Sequence, residues 1–360
     1  MPDGNDAIEQ LKNFKKELDQ ELEKYLSEKI SEAEKIAPDA KALQEHIFDL
    51  TLRGGKRIRA ALMYYSYIAH SGLNLQEALR ASMAMEMSET FLLTHDDIID
   101  NGSLRRGRTT IHTDYEEISK KRFPGKIDPK HFGISMAIMA GDSACAISNQ
   151  IIAHLNFPSE TRIRAIQELN NTYLTVIYGE SLDVISELED NVKKDEILLI
   201  DELKTASYTF NAPLKLGAIL AGASEDQIKC LEKYTIPLGI AFQIQDDIIG
   251  MFGTEEKLGK PVASDLIEGK RTLLILDSLE IATEKQKNII EKNLGNKKVT
   301  AQDLEDVRKV IIETGALEKS KKLAQKLVTQ AYEALDKCDL KNEGKEFLLG
   351  IASYMINREY

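Results

Sequence analysis

The chain has 360 residues, of which 8 are proline, 21 are glycine and none is tryptophan, and alternating runs rich in Val and Thr are scarce. This composition favours an all-α fold over a sheet-rich one. The formal net charge of -12 argues against nucleic acid or an anionic membrane surface as the main partner.

Compartment and redox state can also be predicted. The N-terminus is acidic and polar where a signal peptide would be basic and then apolar, and no apolar run reaches ~18 residues. We therefore expect a cytoplasmic protein without stable membrane insertion.

The three cysteines, Cys145, Cys230 and Cys338, are widely spaced and form no CxxC pattern. They are predicted to be reduced core residues, with neither a disulfide framework nor a zinc site.

An amphipathic helix is predicted at the start of the chain. Between Ile8 and Ile36 the apolar residues recur every three or four positions, and the polar remainder is rich in Lys and Glu. The helix is expected to end at Pro38. Its apolar stripe is typical of packing within the molecule, with a subunit interface as the alternative. A second helix is predicted over about Ala40 to Thr51.

A glycine pair follows the second helix. Gly54 and Gly55 let backbone amides approach an anion, and the start of the next helix adds its partial positive charge. Lys56 and Arg59 lie three residues apart on one face of that helix. The segment therefore favours phosphate binding without the spacing of a nucleotide P-loop, and a purely structural turn is the alternative.

The strongest chemical signal is the aspartate cluster at Asp96, Asp97 and Asp100. Asp96 and Asp100 stand one helical turn apart, so two carboxylates project into one space. At about 4 Å and an effective dielectric of about 20 they repel by roughly 4 kcal/mol, which a bound cation relieves. Oxygen ligands favour Mg²⁺ or Mn²⁺. A solvated acidic turn is the alternative, but the apolar residues before the cluster indicate a buried helix.

Three arginines come directly after this helix, which is predicted to end at Asn101 and Gly102. They are Arg105, Arg106 and Arg108. Carboxylates that hold a divalent ion, with guanidinium groups a few residues away, suit a diphosphate: the metal bridges some oxygens and the arginines donate to the others.

The middle of the chain alternates a loop with long helices. The stretch from Glu116 to Phe132, rich in Lys and interrupted by Pro and Gly, is predicted to be a surface loop. Helical patterns follow at Ile134 to Ile152, Thr161 to Glu189 and Asp201 to Leu220, the last with a kink at Pro213.

A second aspartate pair, Asp246 and Asp247, ends another apolar helix about 150 residues after the first. Two such helices predict a cavity with acidic clusters facing each other across its mouth. Positive charge for two diphosphates comes from Lys56, Arg59, Arg105, Arg106, Lys204, Lys260 and Lys270. The predicted chemistry is metal-assisted ionisation of an allylic diphosphate, with apolar walls that hold a hydrocarbon chain and exclude water. The helices from Leu273 onward are interpreted as scaffold.

This combination resembles the trans-isoprenyl diphosphate synthases, or polyprenyl synthetases, by motif from about Leu43 to Thr272 and by helical character elsewhere. The resemblance implies one isoprenoid synthase domain over 1–360, a large all-α bundle around a central cavity. Its parts would be an N-terminal helix (1–38), a motif-bearing core (43–272) and C-terminal helices (273–360). It also implies a homodimer that joins isopentenyl diphosphate head-to-tail to an allylic diphosphate.

The same resemblance implies roles for individual residues. The ligands of two Mg²⁺ would be Asp96, Asp97 and Asp100, and those of a third would be Asp246 and Asp247. The catalytic residues would be Asp96, Asp100, Lys204 and Asp246. Isopentenyl diphosphate would be bound near Gly55, Lys56, Arg59, Glu89 and Arg106. The allylic diphosphate would be surrounded by Arg105, Lys204, Thr205, Gln243, Lys260 and Lys270.

Three positions depart from the family pattern. Gly250 stands where the second motif usually has a third aspartate, and Glu180 replaces a common glutamine. Glu89 replaces a histidine or glutamine that helps to hold isopentenyl diphosphate. A carboxylate there would repel the anion, so we predict that Glu89 pairs with Lys56 or Arg59 in the empty site.

Product length is expected to depend on the residues below the first motif. Phe91 lies five positions before Asp96, about 7.5 Å deeper along the helix, and Leu92 lies four before it. A single aromatic residue at the fifth position before the motif is a feature in which the chain resembles geranylgeranyl diphosphate synthases. We therefore predict a C20 product, with the C15 farnesyl product as the second possibility. An ordinary core role for Phe91 is the alternative.

Two other functions compete with prenyl elongation. A terpene cyclase shares the aspartate motif but needs no second diphosphate, which the basic residues argue against. A non-catalytic synthase subunit is expected to lose aspartates of the first motif, and none is lost.

Overall fold

The computed structural model describes residues 4–189, 191–253 and 264–356. Within these ranges the chain is almost entirely helical, so the all-α prediction is confirmed. The helices are α1 (Gly4–Glu34), α2 (Pro38–Leu52), α3 (Ile58–Ala69), α4 (Leu75–Ile99), α5 (Ile111–Arg122), α6 (Pro129–Ala153), α7 (Ser159–Ser186), α8 (Lys194–Ile200), a π-helix (Asp201–Asn211), α9 (Ala212–Leu220), α10 (Glu225–Phe252), α11 (Ser264–Glu268), α12 (Leu273–Ile281), α13 (Glu284–Asn293), α14 (Ala301–Glu313), α15 (Ala316–Asp336) and α16 (Asn342–Ile356). Two short antiparallel strands, β1 (Leu104–Arg105) and β2 (Arg108–Thr109), form a hairpin between α4 and α5.

The N-terminal helix packs inside the molecule. Leu18 and Leu22 on its apolar stripe are fully buried, and α1 packs against α2, α3, α4 and α16. The stripe therefore has its partners within the chain, as predicted. The helix ends at Glu34, earlier than expected, because Pro38 is the first residue of α2, where its missing N–H costs nothing.

Two hydrophobic clusters meet along α10. Its first half, with Leu231 and Leu238, packs into a large cluster with α1 to α7, α9 and α16. Its second half, with Ile244 and Ile248, packs into a smaller cluster with α8 and α12 to α15. The helix that carries the second aspartate pair thus runs from one cluster into the other, and both aspartate motifs lie near the C-terminal ends of long helices.

One of the expected local structures is wrong. The predicted loop at 116–132 is mostly helix: α5 continues to Arg122, and α6 begins after Asp128, whose carboxylate accepts hydrogen bonds from the first turn of α6. Lys120 and Lys121 lie exposed on α5, and Lys126 and Lys130 are exposed beyond its end. The helix predicted over Asp201 to Leu220 is present, as a π-helix that continues without a break into α9, and Pro213 lies in the first turn of α9.

The cysteine prediction is also partly wrong. Cys230 of α10 and Cys338, which follows α15, form a disulfide with their Cα atoms 5.7 Å apart. Sequence spacing missed it because 108 residues separate the two positions and only the packing of α10 on α15 brings them together. Cys145 is free, as predicted. Among the described helices, none is long and apolar enough to cross a membrane.

Candidate active site

The first aspartate motif occupies the end of α4 and is held by Arg105. The Arg105 guanidinium donates from Nη2 to Asp96 Oδ2 at 2.7 Å and from Nε to Asp97 Oδ1 at 2.7 Å. The β1–β2 hairpin positions it, since the two turn residues, Arg106 and Gly107, both have positive φ (52° and 74°), as a tight hairpin turn requires. A positive side chain from the next loop therefore compensates two carboxylates of the motif.

The charge at this motif fits a divalent cation. Asp97 is 2% exposed, and its Oδ2 has no hydrogen-bond partner in the described part of the chain. Burial raises the pKa of Asp97 to about 6, although Arg105 opposes the shift. Burial, followed by repulsion from Asp96, raises the pKa of Asp100 to about 7. Carboxylates so placed at a helix C-terminus gain nothing from the helix dipole, so bound positive charge would stabilise them.

The first aspartate motif suits a divalent cation because of its carboxylate oxygens, and not because a complete set of ligands is already in place. Within residues 4–189, 191–253 and 264–356, no three His, Cys, Asp or Glu side chains converge as a ready cation site. Mg²⁺ nevertheless prefers oxygen ligands. The carboxylates supply them, and the buried Asp97 Oδ2 has no hydrogen-bond partner among the described residues.

A lysine on the π-helix faces the first motif from the opposite wall. Lys204 Nζ lies 2.7 Å from Glu180 Oε2 and 2.8 Å from Asp183 Oδ2, both on α7. Burial alone would lower the pKa of Lys204, but Asp183 and Glu180 outweigh it and hold the pKa above its usual range. Gly179 makes this approach possible, because a Cβ there would lie 2.7 Å from the Lys204 backbone nitrogen. Glu180, a departure from the family pattern, is thus paired.

Hydrogen bonds tie the second aspartate pair to the π-helix. Thr205 Oγ1 donates to Gln243 Oε1 at 2.7 Å, and Gln243 Nε2 donates to Asp247 Oδ1 at 2.7 Å. Asp247 is 8% exposed, and burial, reinforced by Asp201 and Asp265, raises its pKa well above the usual range. Three of the predicted site residues therefore lie together in one chain of hydrogen bonds.

Another carboxylate lies where the third aspartate of the second motif is missing. A Cβ at Gly250 would lie 2.6 Å from Asp265 Oδ2, so the Asp265 carboxylate of α11 occupies that place. The sequence pattern gave no sign of this, because the two residues belong to different helices. Lys270 joins the two motifs electrostatically, since it interacts with Asp100 and with Asp265. The two acidic clusters therefore face one space.

The glycine pair and α3 form a basic cleft with α4 and the β-hairpin. Its lining residues are Gly55, Lys56, Arg57, Ile58, Arg59, Glu86, Glu89 and Arg106. Gly55 has φ of 95°, and a Cβ there would come within 3.3 Å of Arg106 Nη2, so the glycine both allows the turn and admits the guanidinium.

The predicted ion pair of Glu89 is present and involves Arg59. Arg59 Nη1 lies 2.9 Å from Glu89 Oε2, and Arg106 Nη2 lies 3.7 Å from Oε1. The Tyr208 hydroxyl also donates to Glu89, at 3.2 Å. Lys56 is not its partner: the Lys56 amine donates instead to the Tyr354 hydroxyl of α16 at 3.0 Å.

Arg57 was not identified from the sequence, although it lies within the same basic segment. It has φ of 59° and turns inward, with Nε 2.8 Å from Asp19 Oδ1 and Nη1 2.6 Å from Glu86 Oε2. This buried ion-pair set anchors the glycine loop to α1 and α4, so that its neighbours Lys56 and Arg59 can face the cleft. In the sequence, Arg57 is one of three basic residues close together, with Lys56 and Arg59, and nothing in the pattern distinguishes the one that turns inward.

The remaining predicted residues are placed as follows. Phe91 is buried, with its ring 5.3 Å from the ring of Tyr173 on α7, and Leu92 is half-buried. Asp246 lies beside Asp247 on α10 and interacts with Arg59. Lys260 lies outside the described residues.

Fold and site together define an all-helical protein with two facing carboxylate clusters and a separate basic cleft. Residues 40–311 match the polyprenyl synthetase family model, and the chain belongs to that family. A geranylgeranyl diphosphate synthase of Sulfolobus acidocaldarius is 34% identical over 327 residues, 90% of this chain and 93% of that one. Another, of Methanosarcina mazei, is 33% identical over 307 residues, 85% of this chain and 87% of that one.

The solved structures agree. The crystal structure of geranylgeranyl pyrophosphate synthase from Corynebacterium glutamicum, complexed with isoprenyl diphosphate and magnesium, matches with a TM-score of 0.91 and 30% identity. The match covers 97% of this chain and 99% of that chain. The resemblance and the isoprenoid synthase fold are therefore confirmed, and the chain is a prenyltransferase of the family that acts on isopentenyl and allylic diphosphates.

Proposed function

We propose that this prenyltransferase makes the C20 product geranylgeranyl diphosphate and depends on Mg²⁺. The observation that carries the proposal is the separation of two anion sites: carboxylate clusters with Lys204 and Lys270 on one side, and the basic cleft of Arg59 and Arg106 on the other. One site suits an allylic diphosphate that ionises, and the other suits the diphosphate of the attacking substrate. The similarity of the chain to geranylgeranyl diphosphate synthases supports the same product.

The residues that would hold Mg²⁺ are Asp96, Asp97, Asp100, Asp246 and Asp247. When bound, the metal supplies positive charge to the departing diphosphate. Arg105 and Lys204 are already near this place, each paired with carboxylates. When the allylic diphosphate binds, they exchange those partners for phosphate oxygens and stabilise the leaving group. The pairs seen here keep both cations in position before the substrate arrives.

The second diphosphate would bind in the basic cleft. Arg59 and Arg106 donate to its oxygens once Glu89 is displaced, and Lys56 adds a third cation. This orientation presents the double bond of isopentenyl diphosphate to the allylic C1 as its C–O bond breaks. The released diphosphate takes the proton that the new chain loses, so no side chain has to act as the base.

Product analysis tests this function. Purified protein with Mg²⁺ and labelled isopentenyl diphosphate is given each allylic primer in turn, and the dephosphorylated products are separated by chromatography. The proposal expects a C20 product. A C15 product alone would contradict the chain length, and no product with any primer would contradict the activity.

The proposed length is linked to Phe91. Its truncation to Ala is expected to give products beyond C20, since a bulky ring below the aspartates limits the chain. A purely structural Phe91 would instead lower stability by roughly 3–5 kcal/mol with product length unchanged.

We also propose a homodimer formed through α6 and α7. Large apolar side chains lie exposed along one side of these helices, namely Ile138, Met139, Leu174, Ile177, Tyr178 and Ile185. The Asn149–Asn170 hydrogen bond joins the two helices, so these side chains are available to a partner on neighbouring helices. Exposed apolar surface of this kind is typical of an interface.

We propose the cytoplasm as the compartment, where the disulfide would have to resist reduction; Cys338 is 7% exposed and Cys230 is half-buried. Cell fractionation tests this proposal.

A further inference from the structure

Three hydroxyl groups meet in the apolar core below the first aspartate motif. Ser88 of α4, Ser148 of α6 and Tyr173 of α7 are all buried. The Tyr173 hydroxyl lies 2.7 Å from Ser88 Oγ and 2.8 Å from Ser148 Oγ, and the two serine oxygens are 2.9 Å apart. Three different helices thus contribute to one hydrogen-bonded triangle.

The triangle is fully satisfied. Ser88 Oγ donates to the Ala84 carbonyl at 2.7 Å, and Ser148 Oγ has the same carbonyl as an acceptor at 3.0 Å. The Tyr173 hydroxyl then donates to a serine, so that each of the three protons has an acceptor. A satisfied network of this kind fixes the position and orientation of the tyrosine ring more tightly than apolar packing does.

The triangle lies farther from the aspartates than Phe91, the residue proposed as the floor of the prenyl cavity. Ser88 is eight residues before Asp96, about 12 Å along the helix axis, and Phe91 lies between them. The rings of Phe91 and Tyr173 meet edge to face, with centroids 5.3 Å apart and planes at 80°. Phe91 is therefore backed by a ring that cannot shift without breaking hydrogen bonds to two other helices.

We propose that Tyr173, held by Ser88 and Ser148, is a specificity-determining residue that sets the upper limit of product length. Phe91 is the upper layer of the floor and Tyr173 the lower one. A chain longer by one isoprene unit would have to push Phe91 toward α7, and the fixed Tyr173 ring blocks that movement. The inference rests on the proposed function, since it takes Phe91 as the floor of the prenyl cavity.

The test compares product distributions of wild type, Tyr173→Ala and the double variant Ser88→Ala/Ser148→Ala, with Mg²⁺ and a C15 primer. Tyr173→Ala is expected to raise the ratio of C25 and longer products to C20 at least tenfold. The double variant, which keeps the ring but releases its hydroxyl, is expected to raise it about threefold, because the ring is then held by packing alone. Consumption of isopentenyl diphosphate is expected to stay within threefold of wild type.

Tyr234→Phe is the matched control. Tyr234 is also fully buried, and its hydroxyl donates to the Leu348 carbonyl at 2.8 Å, in a different part of the core. Its removal costs a buried hydrogen bond without touching Phe91, so the product ratio is expected to remain that of wild type.

The outcomes separate the two proposals. Wild-type protein that makes no C20 contradicts the proposed function. Wild-type C20 with an unchanged ratio in both the Tyr173 and the serine variants overturns the Tyr173 floor and leaves the function standing. If Tyr173→Ala does not fold, the serine variant decides alone, and an unchanged ratio in it counts against the inference.

Discussion

Arg59 and Glu89 form an ion pair 2.9 Å long inside the cleft that is proposed to bind isopentenyl diphosphate. The carboxylate takes the place that a phosphate oxygen would occupy beside Arg59, and Arg106 approaches it from the other side. If isopentenyl diphosphate binds in this cleft, it must displace an internal anion before the two guanidinium groups are available, so Glu89 is expected to lower its affinity.

Glu89→Gln is expected to lower the KM for isopentenyl diphosphate by about three- to tenfold, since it removes the competing charge while preserving the side-chain shape. Glu89→His should act in the same direction. The KM for the allylic substrate serves as an internal control and should not change. Steady-state kinetics with each substrate varied in turn measure both values. An unchanged or higher KM for isopentenyl diphosphate in both variants would show that Glu89 does not compete with it.

Tyr354 holds Lys56 from the far side of the same cleft. The Lys56 amine donates to its hydroxyl and lies 5.1 Å from the ring centroid. Tyr354→Ala removes both contacts and is expected to raise the KM for isopentenyl diphosphate about threefold, because a lysine loses a cation–π contact and a hydrogen bond that order it. Tyr354→Phe retains the ring, so its KM for isopentenyl diphosphate should lie between those of wild type and Tyr354→Ala. Equal KM values in all three proteins would mean that Lys56 needs no such support.

The sequence predicted most of the helices, and it pointed to most of the residues that the structure brings together in the candidate site, because both depend on local signals. Apolar periodicity revealed α4 and α10, and charge next to apolar helix revealed Asp96 and Asp246. The inward turn of Arg57, the Asp265 carboxylate beside Gly250 and the Tyr173 triangle could not be predicted. Each depends on contacts between residues far apart in the chain, which periodicity and spacing do not encode.

The proposed dimer can be tested at its apolar surface. Leu174→Asp combined with Ile177→Asp places two charges in the centre of the α6 and α7 surface and is expected to give a monomer in light scattering, because burying unpaired carboxylates is costly. Leu73→Asp is the control, since Leu73 is 92% exposed on a different part of the molecule. A dimer that survives the double substitution would place the interface elsewhere.

The disulfide between Cys230 and Cys338 closes a loop of about a hundred residues and should stabilise the fold. Cys338→Ser is expected to lower the free energy of unfolding by roughly 2–4 kcal/mol, whereas Cys145→Ser, at the free cysteine, should change it little. Denaturant unfolding with and without reductant gives the comparison. If reductant destabilises Cys338→Ser as much as wild type, the bond does not contribute.

Turnover of Asp96→Ala decides most directly whether the carboxylates at the end of α4 drive prenyl transfer. At saturating Mg²⁺ the kcat is expected to fall by at least about a hundredfold, because the charge at the leaving group is lost. The thermal midpoint should change little, since the substitution relieves repulsion with Asp100 but also removes the ion pair with Arg105. Asp306→Ala, at an exposed carboxylate of α14, is the control and should leave kcat unchanged. Near wild-type turnover of a folded Asp96→Ala would contradict the metal-dependent mechanism.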